Sequence, residues 1–271
     1  MFKGITIGQY YPTNSAIHKL DPRTKINATF LYIIFLFVVD NIWGYLAAFL
    51  MLASVIVATK IPVKLFIRGL RGLLFIIILT VIINMFWTPG NVLVKLWIFK
   101  ITDAGLVQAC RMASRLIMLV SGTSVMTLTT SAIALTDGME SLFKKIPFVK
   151  KYSHELSMMM SIALRFIPTF AEETERIMKA QKSRGADFET SNIWKKAKGL
   201  IPILVPLFVS AFQRANDLAM AMEARCYTGG EGRTHFKQLV YTKTDRLAYV
   251  IVYVSMILLV ATRFIPVVGL F

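Results

Sequence analysis

Two arginines stand at the ends of two long helical patterns, and each is flanked by small residues. Arg184 lies in the stretch KSRGAD, and Arg225 lies 41 residues later in the stretch EARCYTGG. The flanking residues are Ser183, Gly185, Ala224 and Cys226. A guanidinium can donate two parallel hydrogen bonds, and small neighbours let another surface approach it closely. The pattern therefore predicts two recognition points for an acidic or carbonyl-lined groove.

Either arginine alone has a simpler interpretation. A cation in the last turn of a helix complements the helix macrodipole and needs no partner. The repetition of the same arrangement at the end of a second long helix favours recognition over helix-end electrostatics.

The sequence offers little for catalysis or metal binding. His18, His154 and His235 are scattered, and the chain contains neither a phosphate-binding G-x-x-x-x-G-K-[ST] loop nor an H-E-x-x-H zinc motif. Cys110 and Cys226 lie in different contexts and suggest neither a disulfide nor a metal site. We expect a chain with no catalytic residue, no metal and no cofactor of its own.

The composition indicates a membrane protein. The 271 residues are 56% hydrophobic, yet Lys and Arg number 31 against 15 Asp and Glu. A soluble nucleic-acid-binding protein could carry the charge of +16, but it would not contain runs such as FLYIIFLFVV. The excess positive charge is better explained as an orientation signal in loops on the cytoplasmic side.

Five apolar segments are interpreted as spanning helices from their composition and the turns and basic loops between them. They cover residues 26–39, 42–59, 73–87, 105–135 and 247–264. The basic residues before the first segment place the N-terminus in the cytoplasm.

Two further apolar segments, 156–170 and 200–212, are predicted not to cross the membrane. Basic loops precede, separate and follow them, so the positive-inside rule places all three loops in the cytoplasm. Arg165 adds to the case, because a central arginine costs roughly 2.5–3.5 kcal/mol on insertion scales.

The predicted fold class is an all-α integral membrane protein with about five transmembrane helices and long amphipathic cytoplasmic helices. Residues 1–135 form an N-terminal membrane domain of four spans, 136–245 a cytoplasmic helical domain, and 246–271 the last span. One cytoplasmic helix is predicted over 153–183 and a second over about 192–227, ended by Gly229 and Gly230. The second helix is expected to bury Phe208, Phe212, Ala215, Ala219 and Met222.

Four stretches together make the chain recognisable. They are LDPRTK at 20–25, ALRFIPTFAEE at 163–173, SRG at 183–185 and AMEARCY at 221–227. In this order and spacing they resemble the transmembrane T component of energy-coupling factor (ECF) transporters, EcfT, over nearly the whole chain.

The resemblance implies a scaffold that couples ATP hydrolysis to the uptake of vitamins or other micronutrients. It implies two ABC-type, EcfA-like ATPase subunits that bind ATP and Mg and receive Arg184 and Arg225. It further implies a substrate-binding membrane subunit, the S component, held by an apolar face of the two long coupling helices. Our candidates for that face are Met158, Met159, Met160, Phe166 and Phe170. Cys226 stands where a glycine would repeat the first motif.

The expected location is the cell membrane of a prokaryote, in contact with lipid and not with nucleic acid. One alternative is a pore-lining ABC permease subunit, which would need ionisable residues facing a cavity, and the spans offer few. Another is an integral membrane enzyme acting on lipid, which would need a His, Asp and Glu constellation. A membrane-tethered nucleic-acid-binding protein is disfavoured because the basic residues are spread over all the inner loops.

Overall fold

A computed structural model describes residues 10–39, 41–96, 99–186, 193–229 and 239–262. The helices are α1 (Pro22–Val38), α2 (Ile42–Thr59), α3 (Val63–Arg71), α4 (Leu74–Trp87), α5 (Asp103–Thr129), α6 (Ala132–Phe143), α7 (Ser153–Ser183), α8 (Ile193–Glu223) and α9 (Lys243–Ala261). Two short antiparallel strands, β1 (Val92–Leu96) and β2 (Phe99–Thr102), form a hairpin between α4 and α5 that the sequence did not predict. Apart from this short hairpin, the described chain is helical, and the predicted all-α membrane class is confirmed.

Several helices are long and apolar enough to cross a membrane. α2, α5, α9 and residues 198–223 of α8 qualify as single helices, and α3 with α4 qualifies as one broken span bent by 62°. α1 has 17 residues, at the lower limit of the roughly 17–25 residues that a spanning helix needs. Length and composition therefore support four to five spans and leave open whether α1 or α8 is one of them.

Packing and charge distinguish α1 from α8. α1 lies against α5 and α9, and its Tyr32 and Leu36 are buried in the same core as Leu52, Met118 and Leu259. α8 belongs to a different compact unit and is enclosed by basic segments at both ends. We therefore keep the prediction that α1 crosses the membrane and that α8 does not.

Cysteine labelling decides this topology. In a background without Cys110 and Cys226, Thr190→Cys and Thr228→Cys flank α8, and Asn91→Cys follows α4. We expect an impermeant thiol reagent to label only Asn91→Cys in intact cells, and all three positions after permeabilisation. Any labelling at position 190 or position 228 in intact cells would show that the topology is wrong. Labelling at only one of these two positions would show that α8 crosses the membrane.

The described residues form two compact units. The first, here called the membrane unit, contains residues 10–139 and 239–262. The second, here called the coupling unit, contains residues 140–229. The three-segment domain division drawn from the sequence stays a prediction.

The LDPRTK stretch closes one end of the membrane unit. Asp21 caps α1 by accepting hydrogen bonds from the backbone N–H of Arg23 at 2.9 Å and from its guanidinium at 3.1 Å. The guanidinium also donates to the carbonyl of Leu239 at 2.6 Å and lies 4.3 Å from the Tyr241 ring centre. The carboxylate of Asp245, which is fully buried, accepts from the backbone N–H of Asp21 at 2.8 Å. These contacts fasten the start of α9 to the start of α1.

The coupling unit is dominated by α7 and α8, each 31 residues and therefore about 45 Å long. The two helices pack in opposite directions. Arg214 of α8 lies 3.4 Å from Glu173 of α7, and the Gln181 side chain donates to the carbonyl of Pro202 at 3.4 Å. The predicted bounds of the first long helix are confirmed.

Two expectations about the second long helix are wrong. α8 ends at Glu223, before Gly229 and Gly230. Its expected core face is also not buried, since Phe208 is 62% exposed and Phe212 is 72% exposed. Of the other three residues expected there, Ala215 and Ala219 are exposed and Met222 is half-buried. An amphipathic pattern identifies the apolar face of a helix, but within this chain nothing in the described region covers that face.

Candidate docking surfaces

The end of α7 presents Arg184 at a helix cap. Gly185 follows in the left-handed conformation with φ of +87°. Its N–H donates to the carbonyl of Lys182 at 3.0 Å, and the N–H of Ala186 donates to the carbonyl of Gln181 at 3.0 Å. This pair of bonds is the Schellman motif, which satisfies the last carbonyls of a helix and turns the chain sharply away.

The end of α8 repeats this geometry around Arg225. Cys226 takes the left-handed position with φ of +56°. Its N–H donates to the carbonyl of Glu223 at 2.8 Å, and the N–H of Tyr227 donates to the carbonyl of Met222 at 3.0 Å. Each arginine therefore occupies the same position, directly before the left-handed residue of a Schellman cap. Cys226 therefore adopts a left-handed backbone conformation that glycine usually adopts, as Gly185 does in the first cap.

The two left-handed residues predict opposite effects on helix-end stability. Left-handed backbone costs a non-glycine residue about 1 kcal/mol or more, and glycine avoids this cost. Cys226→Gly should therefore stabilise the end of α8 by about 1 kcal/mol, and Gly185→Ala should destabilise the end of α7 by a similar amount. A Cβ at position 185 meets nothing within 4 Å, so the cost there is conformational rather than steric.

Amide hydrogen exchange of the bonds that close each cap measures both effects. The amide of Tyr227 should exchange more slowly in Cys226→Gly, and the amide of Ala186 should exchange faster in Gly185→Ala. Unchanged exchange in both variants would contradict the assigned cap geometry.

The functional groups of both caps face outward. Ser183, Arg184, Gly185, Ala224, Arg225 and Cys226 are all exposed. In the described part of the chain, neither the Arg184 nor the Arg225 guanidinium has a hydrogen-bond or ion-pair partner. Ser183 instead turns its hydroxyl back to the carbonyl of Lys179 at 3.1 Å. Both guanidinium groups are thus available to a group outside this chain.

The two arginines are too far apart to enter one groove. Gln181, three residues before Arg184, contacts Pro202 near the start of α8. From Pro202 to the end of α8 the helix extends by about 30 Å. The arrangement is suited to two separate partner sites of similar shape.

The proposed Met and Phe face on α7 is largely uncovered. Met159 and Met160 are exposed, while Met158, Phe166 and Phe170 are half-buried. Phe166 and Phe170 lie with ring centres 5.8 Å apart, so the pair forms one aromatic patch. The structure brings the two phenylalanines together and leaves the two exposed methionines as adaptable contact residues.

A larger apolar face on α8 was missed as a contact surface. It forms a shallow groove lined by Ile201, Leu204, Val205, Phe208, Val209, Phe212 and Gln213. The signal was present in the sequence, because these apolar residues recur at spacings of three and four. The face was instead assigned to the core of this chain.

Among the residues that the structure describes, no group of three His, Cys, Asp or Glu side chains is placed to hold a metal ion. The buried Glu140 is held by the Ser157 hydroxyl at 2.7 Å and by Lys144 at 2.8 Å. It fastens α6 to the first turns of α7.

Sequence comparisons show which proteins this chain resembles. Residues 13–236 match the CbiQ family of cobalt transport proteins. A protein of Thermosediminibacter oceani is 54% identical over 246 residues, which cover 91% of this chain and 93% of that protein. Proteins of Acidaminococcus fermentans and Bacillus subtilis are 48% and 42% identical over 265 residues, covering 97% of this chain and 98% of each relative. All three relatives are named energy-coupling factor transporter transmembrane protein EcfT.

Proposed function

Because the chain belongs to the CbiQ and EcfT family of transporter membrane components, and so is a membrane subunit of an ECF transporter, we propose that it couples two ATPases to a substrate-binding subunit. The single observation that carries the proposal is the repeated cap, in which Arg184 and Arg225 stand exposed at equivalent positions of two Schellman motifs. Two identical donors far apart suit two related receiving subunits.

In the proposed mechanism, each arginine enters a groove on one ABC-type, EcfA-like ATPase. The small neighbours Ser183, Gly185, Ala224 and Cys226 let the groove walls approach the backbone. Each arginine directly precedes the left-handed residue of its cap and is exposed, so the guanidinium can project at the end of the helix.

The two long helices then act as levers. Closure of the ATPase pair on ATP moves the two helix ends relative to each other. α7 and α8 are linked at Glu173 and Arg214, 3.4 Å apart, and at Gln181 and Pro202. Motion applied at the arginines is therefore transmitted to the apolar faces carried by the same helices.

The apolar faces are the proposed socket for the S component. This surface combines Met158, Met159, Met160, Phe166 and Phe170 on α7 with the groove of α8 that contains Phe208 and Phe212. Aromatic and methionine side chains provide large contact areas that repack easily, which suits a subunit that is held and displaced in each cycle. The captured solute is a vitamin or another micronutrient bound by the S component.

The ATPases and the S component carry out nucleotide hydrolysis and solute binding in this proposal. ATP and Mg are bound by the ATPases, and this chain binds no cofactor and performs no catalysis. It resides in the cell membrane of a prokaryote, surrounded by lipid, with its N-terminus in the cytoplasm and without a nucleic-acid partner.

Nucleotide binding by the purified chain tests the scaffold assignment. We expect no ATP hydrolysis and no specific nucleotide binding by the chain alone, and hydrolysis once the ATPase subunits are added. The physical reason is that the sequence contains no glycine-rich loop to surround a triphosphate. Stoichiometric binding of ATP to the isolated chain would contradict the assignment.

A further inference from the structure

A cavity of about 500 Å³ lies inside the membrane unit, between α1, α2, α5 and α9. This volume falls within the roughly 300–1,000 Å³ of typical ligand pockets. We call this space the bundle cavity. Its lining is mainly apolar and includes Ala28, Tyr32, Val55, Val125, Ala248 and Val252.

The bundle cavity occupies the basic end of the bundle. Its lining comes from Ala16, Ile17 and Leu20 before α1, from the first turns of α1 and α9, and from the last turns of α2 and α5. Four exposed cations directly neighbour these turns in the chain, and they are Lys19, Lys60, Lys243 and Arg246. Along α1 the lining extends from Thr24 to Tyr32, which is about 12 Å of helix and close to the ~15 Å hydrocarbon depth of one leaflet.

The inner end of the cavity is closed by an aromatic ring. Tyr32 lies against the backbone of Gly122, where an added Cβ would come within 2.4 Å of the ring. Its hydroxyl donates to the carbonyl of Met118 at 3.3 Å, so no polar atom of this residue is left facing the cavity. Glycine at position 122 is required for this closure, because any side chain would displace the ring.

The one charged group in the lining is already satisfied. The ammonium of Lys25 donates to the carbonyl of Thr129 at 2.9 Å and to that of His18 at 3.1 Å. It therefore contributes positive potential to this end of the bundle without demanding a counterion inside. A ligand must be apolar along most of its length to fill such a space.

The opening of the cavity lies at the edge of the bundle. On α9, the lining residues Leu247 and Ile251 are 61% and 57% exposed, and on α2 the lining residues Ser54 and Ala58 are also exposed. In a membrane protein, a gap between two peripheral helices at this depth faces the acyl chains of the bilayer.

We propose that the bundle cavity holds one acyl chain of an anionic phospholipid, whose headgroup lies among Lys19, Lys60, Lys243 and Arg246. The depth, the apolar lining and the lateral opening fit the chain, and the cations at the same end fit the phosphate. The site is independent of the docking of ATPases and would exist in a chain that docked none.

Photo-crosslinking of the full-length chain in nanodiscs tests the proposal. The probe is phosphatidylglycerol with a diazirine near the end of one acyl chain. Mass spectrometry should place cross-links at cavity residues such as Ala28, Val125 and Ala248. The same label on phosphatidylcholine should give weaker labelling there. Cross-links confined to outer residues such as Phe30 would overturn the site, and equal labelling by both lipids would overturn its anionic selectivity.

Two matched substitutions on α9 separate the cavity from the outer surface. Ala248→Phe fills the cavity and should remove the cross-links at Ala28 and Val125. Val254→Phe adds a ring at an exposed position outside the lining and should leave them unchanged. Ala28→Leu is a smaller filling variant for the case that Ala248→Phe does not insert.

Unchanged cavity labelling in a folded filling variant would contradict the proposal. The assembled transporter provides a further arm. If labelling is lost when the partner subunits bind, a partner segment occupies the cavity in the working protein and the lipid assignment is wrong.

Discussion

Replacing both Arg184 and Arg225 by alanine is expected to detach the ATPase subunits and abolish transport, while the membrane unit still inserts normally. Truncating one partner of a buried charged hydrogen-bond pair costs roughly 2–5 kcal/mol, and here two such contacts are removed. Each single variant should therefore weaken ATPase binding by roughly 30-fold to several thousand-fold. Co-purification and solute uptake at equal membrane expression measure both effects.

Lysine replacements and a neighbouring cation separate docking from helix-end electrostatics. Arg→Lys at either position should restore binding only in part, because lysine retains the charge and loses the planar fork. Lys182→Ala removes a cation from the same last turn of α7 and should leave ATPase binding intact. A pure dipole effect would give full rescue by lysine and a cost of only about 0.3–1 kcal/mol for alanine. Wild-type binding and uptake in both single alanine variants would contradict the docking role.

Introducing a carboxylate into the α8 groove is expected to release the S component and leave the ATPases bound. Phe208→Glu and Phe212→Glu each place a charge at a centre of the proposed interface, where desolvation without a partner costs several kcal/mol. The expected result is loss of the S component from the purified complex, with normal retention of the ATPases.

Conservative replacements provide the control for that result. Phe212→Leu retains an apolar side chain and should keep the S component, although with reduced contact area. Met159→Glu on α7 tests the other half of the proposed surface in the same assay. Retention of the S component by both glutamate variants of α8 would show that this groove is not part of the socket.

The sequence predicted the bounds of the first long helix accurately, although Pro168 lies inside it. The apolar residues recur at helical spacing, Glu155 lies in the first turn, and Gly185 supplies the left-handed cap. Local propensity and tertiary structure specify the same bounds in such a segment, so no long-range information is needed.

The end of the second helix was mispredicted because its cap is a cysteine. Non-glycine residues rarely adopt positive φ, so Gly229 and Gly230 were the stronger stop signals in the sequence. The structure places the stop at Cys226, and its two bonds to the carbonyls of Glu223 and Met222 reveal the repeat of the Arg184 cap. The sequence already aligned Cys226 with Gly185, and the backbone conformation adds that both residues close the same type of cap.

The exposure of the apolar faces of α7 and α8 could not be predicted from the sequence of this chain. The pattern correctly identified which side chains are apolar, but the burial of Phe208 and Phe212 depends on surfaces that this chain does not contain. The third predicted span begins at residue 73, close to the start of α4 at Leu74, but the sequence did not predict the preceding basic helix α3, which is bent by 62° from α4.

Cross-linking from the two caps identifies the subunit that each arginine cap contacts. In a background without the exposed Cys110, a short thiol-reactive photo-crosslinker is attached within the assembled transporter to Cys226 in one sample and to Ser183→Cys with Cys226→Ala in another. Mass spectrometry identifies the subunit that each cap touches. If Arg184 and Arg225 dock on two ATPases, each position should cross-link to an ATPase, and the two positions should reach different ATPase subunits. Cross-links from both caps to the S component or to lipid, with none to an ATPase, would contradict this docking.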